Sequence, residues 1–87
     1  MSKFNLEFSQ QAWSEYVAWQ SEDKKTLKKI NKLIDAILRD PFEGIGKPEP
    51  LKFGLSGAWS RRIDGTNRLV YLVMVDKIQI IQVKYHY

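Results

Sequence analysis

Apolar and polar residues alternate from Lys3 to Phe8, with Phe4, Leu6 and Phe8 set against Lys3, Asn5 and Glu7. That period predicts a half-buried strand. Ser9 follows as a candidate N-cap, with Phe8 before it and Trp13 after it at hydrophobic-staple spacing. Ala12, Trp13, Tyr16, Val17 and Trp19 give the helix that starts there an apolar stripe. Ser21 is the expected cap of a second helix, with Glu22 and Asp23 in its first turn to complement the dipole. Leu27, Ile30, Ile34, Ile37 and Leu38 recur at spacings of three and four and predict one buried face. Lys24, Lys25, Lys28, Lys29 and Lys32 take the rest of the surface, and Pro41 ends the helix at Asp40 or just before it. The connection between the two helices is very short, so they form an αα-hairpin.

From Phe42 to Pro50 the pattern is broken by Gly44, Gly46, Pro48 and Pro50, the signature of a loop on a constrained path. Short strands are predicted at Leu51–Leu55 and Gly57–Ile63, closed by a turn at Asp64-Gly65-Thr66-Asn67. Two further strands, Arg68–Val75 and Ile78–Tyr85, flank a tight turn at Asp76-Lys77. The expected fold is α+β in the order β-α-α-β-β-β-β: two N-terminal helices packed on one face of a mainly antiparallel twisted sheet. In the last strand, alternation groups Ile78, Ile80, Gln82, Lys84 and His86 against Gln79, Ile81, Val83, Tyr85 and Tyr87. Pairing across the turn brings Arg68 to the level of Lys84–His86.

Size and composition narrow the picture. Eighty-seven residues make one domain, 1–87, with a thin core. There is no cysteine, which excludes a disulfide framework, a zinc ribbon and a thiol nucleophile. A single histidine excludes a two-histidine metal motif, and no cofactor or metal is expected. No apolar run approaches the roughly 18 residues of a membrane span, and the start lacks a signal-peptide pattern, so a soluble cytoplasmic protein without membrane contact is expected. The net charge of +4 is uneven. Residues 1–46 hold seven basic and seven acidic side chains; residues 47–87 hold Lys47, Lys52, Arg61, Arg62, Arg68, Lys77 and Lys84 against Glu49, Asp64 and Asp76. A basic half-domain with three arginines suits phosphate, although a solvated surface accounts for +4 alone.

That half also holds candidate chemistry. Glu49 sits in a rigid Pro-Glu-Pro, His86 stands next to Tyr87, and Arg68 is brought opposite the chain end. A carboxylate is ordinarily ionised at neutral pH and can accept a proton, while an imidazole can donate one. An arginine can stabilise the charge developing on a phosphorane. RNA carries its own nucleophile, the 2′-hydroxyl, so these groups suffice for metal-independent cleavage. On the residues alone the bland readings hold the majority. Glu49 is then a solvated loop carboxylate, Arg68 a partner of Asp64 or Glu49, and His86 an idle chain-end group. Tyr85 and Tyr87 are then sheet-edge packing.

Four blocks change those weights. Pro41-Phe42-Glu43-Gly44-Ile45-Gly46-Lys47-Pro48-Glu49-Pro50-Leu51, Leu55-Ser56-Gly57-Ala58-Trp59-Ser60-Arg61-Arg62-Ile63, Arg68-Leu69-Val70-Tyr71 and Tyr85-His86-Tyr87 resemble YoeB-type toxins of the RelE/ParE superfamily. Trp13, Tyr16, Trp19 and Lys28-Lys29-Ile30-Asn31 agree, so the resemblance covers essentially the whole chain. It implies a RelE-like microbial ribonuclease fold and a ribosome-dependent mRNA interferase, the toxin of a type II toxin–antitoxin pair. By resemblance Glu49 is the general base, Arg68 stabilises the transition state, His86 is the general acid and Tyr87 orients the scissile nucleotide. Lys52 and Arg62, with Lys47 and Arg61, correspond to basic positions that hold RNA phosphates. Ile45 stands where a basic residue is familiar, a departure that weakens expected ribosomal RNA contacts. The implied partners are mRNA and the ribosomal A site, an acidic YefM-like antitoxin and a second toxin copy. The competing expectations are a non-catalytic ParE-like toxin and an RNA- or protein-binding module on the same scaffold.

Overall fold

A computed structural model describes residues 3–51 and 57–85. Strand β1 (Asn5–Phe8) leads into helices α1 (Gln10–Glu22) and α2 (Lys24–Arg39). Strands β2 (Glu49–Pro50), β3 (Ala58–Arg62), β4 (Arg68–Val73) and β5 (Lys77–Gln82) follow. The sheet order is β1-β5-β4-β3-β2, with β1 parallel to β5 and every other pair antiparallel. This is the α+β fold expected, because the helical hairpin carries the chain from β1 across the sheet, as a parallel neighbour requires. The predicted strand at Leu51–Leu55 is displaced: pairing begins at Glu49–Pro50, and residues 52–56 lie outside the described residues. Among the described residues no helix is long and apolar enough to cross a membrane.

Local signals account for the helices. Ser9 caps α1, its Oγ accepting the Ala12 N–H at 3.0 Å, and Phe8 meets Trp13 edge to face at 5.7 Å. The second cap falls on Asp23 rather than Ser21. Helix α1 runs on through Ser21 and Glu22, and the extended Asp23 ends it with an N–H donated to Trp19 O. The same residue starts α2 by accepting the N–H groups of Lys25 and Thr26. Aspartate caps as well as serine does, and the Thr26 hydroxyl reinforces it at 2.8 Å. The five lysines of α2 are exposed, as expected, while Ile30, Leu33, Ile34, Ala36 and Ile37 are buried. The α1 stripe is narrower than predicted: Ala12 and Trp19 are buried, but Trp13 and Val17 stand largely in solvent.

Leu69, Tyr71, Ile78 and Ile80 face the helices and form the core with the α2 stripe. One irregularity resets the last strand. Val70 pairs with Gln82 and Tyr71 with Ile80, so Ile81 is an unpaired bulge. Gln82 therefore leaves the Ile78–Ile80 face to which simple alternation assigns it, and Val83 enters the core. Helix α1 meets the backbone groups of this segment. Ser9 Oγ donates to Ile81 O at 3.0 Å, Trp19 Nε1 donates to Val83 O at 2.9 Å, and Glu15 Oε1 accepts the Val83 N–H at 2.9 Å.

Candidate functional site

The sheet face turned away from the helices gathers the candidate chemistry. Antiparallel register sets Glu49, Ser60, Val70 and Gln82 in one row across four strands. Directly opposed residues share a face, and so do residues two apart on a strand. Arg62 and Arg68, opposed across β3 and β4, therefore lie on the same face as Glu49, one row further along. Glu49 and Arg62 are exposed and Arg68 is half-buried. Arg68 also donates its backbone N–H to Tyr85 O at 3.0 Å, which places the chain end beside it, as the pairing argument expects. His86, Tyr87 and Lys52 lie outside the described residues.

The turn between β3 and β4 holds this arrangement. Asp64 closes the β3–β4 turn by accepting the N–H groups of Thr66 and Asn67 at 2.8 and 2.7 Å. Burial works to raise the Asp64 carboxyl, but the hydrogen bonds from Asn67 and Thr66 and the charge of Arg68 outweigh it, and it is held below its ordinary range. The Asn67 side chain donates to Asp64, and its Oδ1 accepts the Tyr85 N–H at 2.6 Å. Tyr85 itself takes a left-handed conformation, φ 63°. Asn67 was not singled out by sequence beyond its place in a turn. Its signal is a buried amide in a turn opposite a strand end.

The loop before β2 is held from below. Arg62 N–H donates to Gly46 O at 2.6 Å, and exposed Lys47 follows directly in the chain. Lys47 adopts φ 52°, a left-handed conformation that is unusual outside glycine.

Arg61 corrects the sequence expectation. It is fully buried and does not reach the exposed face as a phosphate ligand. Adjacent strand residues point to opposite faces, so Arg61 and Arg62 cannot share one. Arg61 Nε donates to Tyr71 Oη at 3.1 Å, Nη1 to Ile45 O at 3.1 Å, and Nη2 to Asp40 O and Glu43 O at 2.6 and 3.0 Å. Tyr71 in turn donates to Pro41 O at 2.6 Å. Burial pushes the Tyr71 phenol up, only partly offset by Arg61.

The other basic residues of the second half sort themselves. Among the described residues the ion pairs are Lys77–Glu7 at 3.2 Å and Lys84–Glu22 at 3.0 Å. Both join the C-terminal segment of the chain to its N-terminal half, and neither draws on Arg62 or Arg68. At the opposite edge of the sheet, Leu6, Phe8, Trp13, Tyr16 and Ile34 line an open groove of 470 Å³.

Comparison with known proteins agrees with this architecture. Residues 8–87 match the model of the YoeB-like toxin of bacterial type II toxin-antitoxin systems. Toxin YoeB of Streptomyces coelicolor is 55% identical over 82 residues, spanning 94% of this chain and 98% of that protein. Toxin YoeB of Escherichia coli strain K12 is 54% identical over 82 residues, with the same coverage, 94% and 98%. Among solved structures, the YoeB dimer from Staphylococcus aureus superposes with a TM-score of 0.91 at 49% identity, covering 99% of this chain and all (100%) of that one. The YoeB–YefM complex from the same organism gives 0.87 at 48%, with coverage of 99% and 100%. With the matched span reaching from the end of β1 to Tyr87, the chain belongs to the YoeB-like toxins of bacterial type II toxin–antitoxin systems.

Proposed function

We propose that this toxin is an endoribonuclease that cuts mRNA in the ribosomal A site and so arrests translation in the cytoplasm. Glu49 takes the proton from the 2′-hydroxyl, whose oxygen then attacks the adjacent phosphorus. Arg68 stabilises the charge that builds on the phosphorane oxygens. His86 protonates the departing 5′-oxygen as its bond to phosphorus breaks, and Tyr87 orients the nucleotide. The products are a 2′,3′-cyclic phosphate, which opens to a 3′-phosphate, and a 5′-hydroxyl. Lys47, Lys52 and Arg62 hold neighbouring phosphates, and Arg61 does not.

The observation that carries this reading is the register that sets Glu49, Arg62 and Arg68 on one sheet face with Tyr85 beside Arg68. A base and a cation one row apart suit the two sides of a phosphodiester transfer. The YoeB–YefM complexes and the YoeB dimer of Staphylococcus aureus support an antitoxin and a second copy as partners here too.

The test is to add the purified chain to a translating extract and map the mRNA ends, with Glu49→Ala and His86→Ala in parallel. Codon-phased cuts that disappear in both variants are expected. Intact mRNA there, with growth still arrested when the chain is expressed in cells, points instead to a non-catalytic, ParE-like toxin.

A further inference from the structure

The loop from Asp40 to Lys47 leads from α2 toward β2, and several of its backbone carbonyls are held by hydrogen bonds from the sheet. Its carbonyls at Asp40, Glu43 and Ile45 converge on the Arg61 guanidinium. Tyr71 adds the fourth acceptor and itself holds Pro41 O. Among the described residues, every hydrogen-bond partner of this buried cation is a neutral oxygen. Asp40 O lies at the C-terminal end of α2, where the helix dipole is negative and favours a cation.

The loop's glycines are shaped to the same group. A Cβ on Gly44 (φ 127°) would stand 3.0 Å from Arg61 Nη1. A Cβ on Gly46 (φ 84°) would stand 2.6 Å from Leu33 Cδ2 and 3.1 Å from Arg61 Cβ. Three residues beyond Gly46 stands Glu49. The Gly46–Arg62 bond at one end and the Glu49–Ser60 pairing at the other leave that stretch little freedom.

We propose that Arg61 is a positioning residue: its buried guanidinium gathers the Asp40–Ile45 carbonyls into one fixed loop and thereby sets where Glu49 stands on the exposed sheet face. A buried charge is costly, and an apolar side chain of similar volume could fill the same space. What an apolar side chain cannot do is hold three carbonyls of the nine-residue connection between α2 and β2 in register. The proposal rests on the reading of Glu49 as the base, and a double-mutant cycle separates the two.

The single-turnover rate and the half-saturating toxin concentration are measured on programmed ribosomes for wild type, Arg61→Lys, Glu49→Gln and the double variant. All assays run well below the lowest melting temperature of the set. Lysine keeps the charge but lacks the planar fork. Tyr71→Phe, which removes one acceptor of Arg61 and the bond to Pro41 O, provides a second cycle should Arg61→Lys fail to fold. Arg61→Lys and Tyr71→Phe are expected to slow cleavage about tenfold to a hundredfold with Glu49 present, leaving half-saturation unchanged. In the Glu49→Gln background the same changes are expected to cost less than about twofold, because the group they position is gone. An equal loss in both backgrounds overturns the positioning role and leaves the base assignment standing. A Glu49→Gln variant that cleaves at the wild-type rate overturns both.

Discussion

Arg68 and Arg61 are the same residue type one strand apart, and the sheet face each takes separates their roles. Arg68 is half-exposed on the face that carries Glu49, whereas Arg61 is closed in under the loop. Arg68→Ala is therefore expected to lower the cleavage rate constant by about 10²–10³, the usual loss for a donor aimed at developing charge, with little change in melting temperature. Tyr71→Phe should do more to stability. It strands the buried Pro41 carbonyl, a loss of about 1–3 kcal/mol in urea denaturation. Titration behaviour also lives at this scale. The Asp64 carboxyl is held low, so its contribution to stability is complete above the unfolded-state range near pH 4 and is lost as pH falls through the lower folded value. Tyr71 is held high, so its contribution is complete below about pH 10 and is lost as pH rises through the higher folded value. Melting temperatures across pH should thus fall at both extremes, and the Asp64→Asn variant should lose less than wild type on the acid side.

Among the elements, the reassigned helix boundary makes a sharp comparison. Asp23→Ala removes the acceptor for two α2 amides and should cost about 1 kcal/mol, whereas Ser21→Ala, inside the last turn of α1, should stay within about 0.5 kcal/mol. Chemical denaturation of the two variants settles which residue caps. The sequence pattern carried the α2 stripe, the Ser9 cap and the Asp64 turn because each is a local preference written in adjacent residues. It did not carry the bulge at Ile81. That bulge goes with the backbone groups of Ile81 and Val83 finding Ser9, Trp19 and Glu15, which are more than sixty residues away. The direction of Arg61 was half-legible. The Arg61-Arg62 doublet in a strand already forbids a shared face, but which of the two turns inward depends on the register with β4. That Glu49 and Arg68 share a face depends on strand register across β2, β3 and β4, which adjacent residues do not reveal, while His86, Tyr87 and Lys52 lie outside the described residues.

For the whole molecule, the fold sharpens an uneven charge. The seven basic residues of 47–87 do not form a uniform basic half. Lys77 and Lys84 pair with Glu7 and Glu22 of the N-terminal half, and Arg61 is buried. What remains among the described residues is Lys47, Arg62 and Arg68, and the two arginines share the sheet face of Glu49. Binding of a short single-stranded RNA should weaken steeply with salt, and Arg62→Ala should flatten the log–log slope by about 0.7, the share of one phosphate. Lys77→Ala should leave that slope unchanged. The most direct measurement of the central claim is the chemistry of the cut ends. A defined mRNA on programmed ribosomes is treated with the wild-type chain and with Glu49→Ala, and the fragments are resolved by mass. The account predicts a 2′,3′-cyclic phosphate or 3′-phosphate upstream and a 5′-hydroxyl downstream, with the fragments reduced at least about a hundredfold in the variant. Fragments with 5′-phosphate ends, or undiminished cleavage by Glu49→Ala, would contradict it.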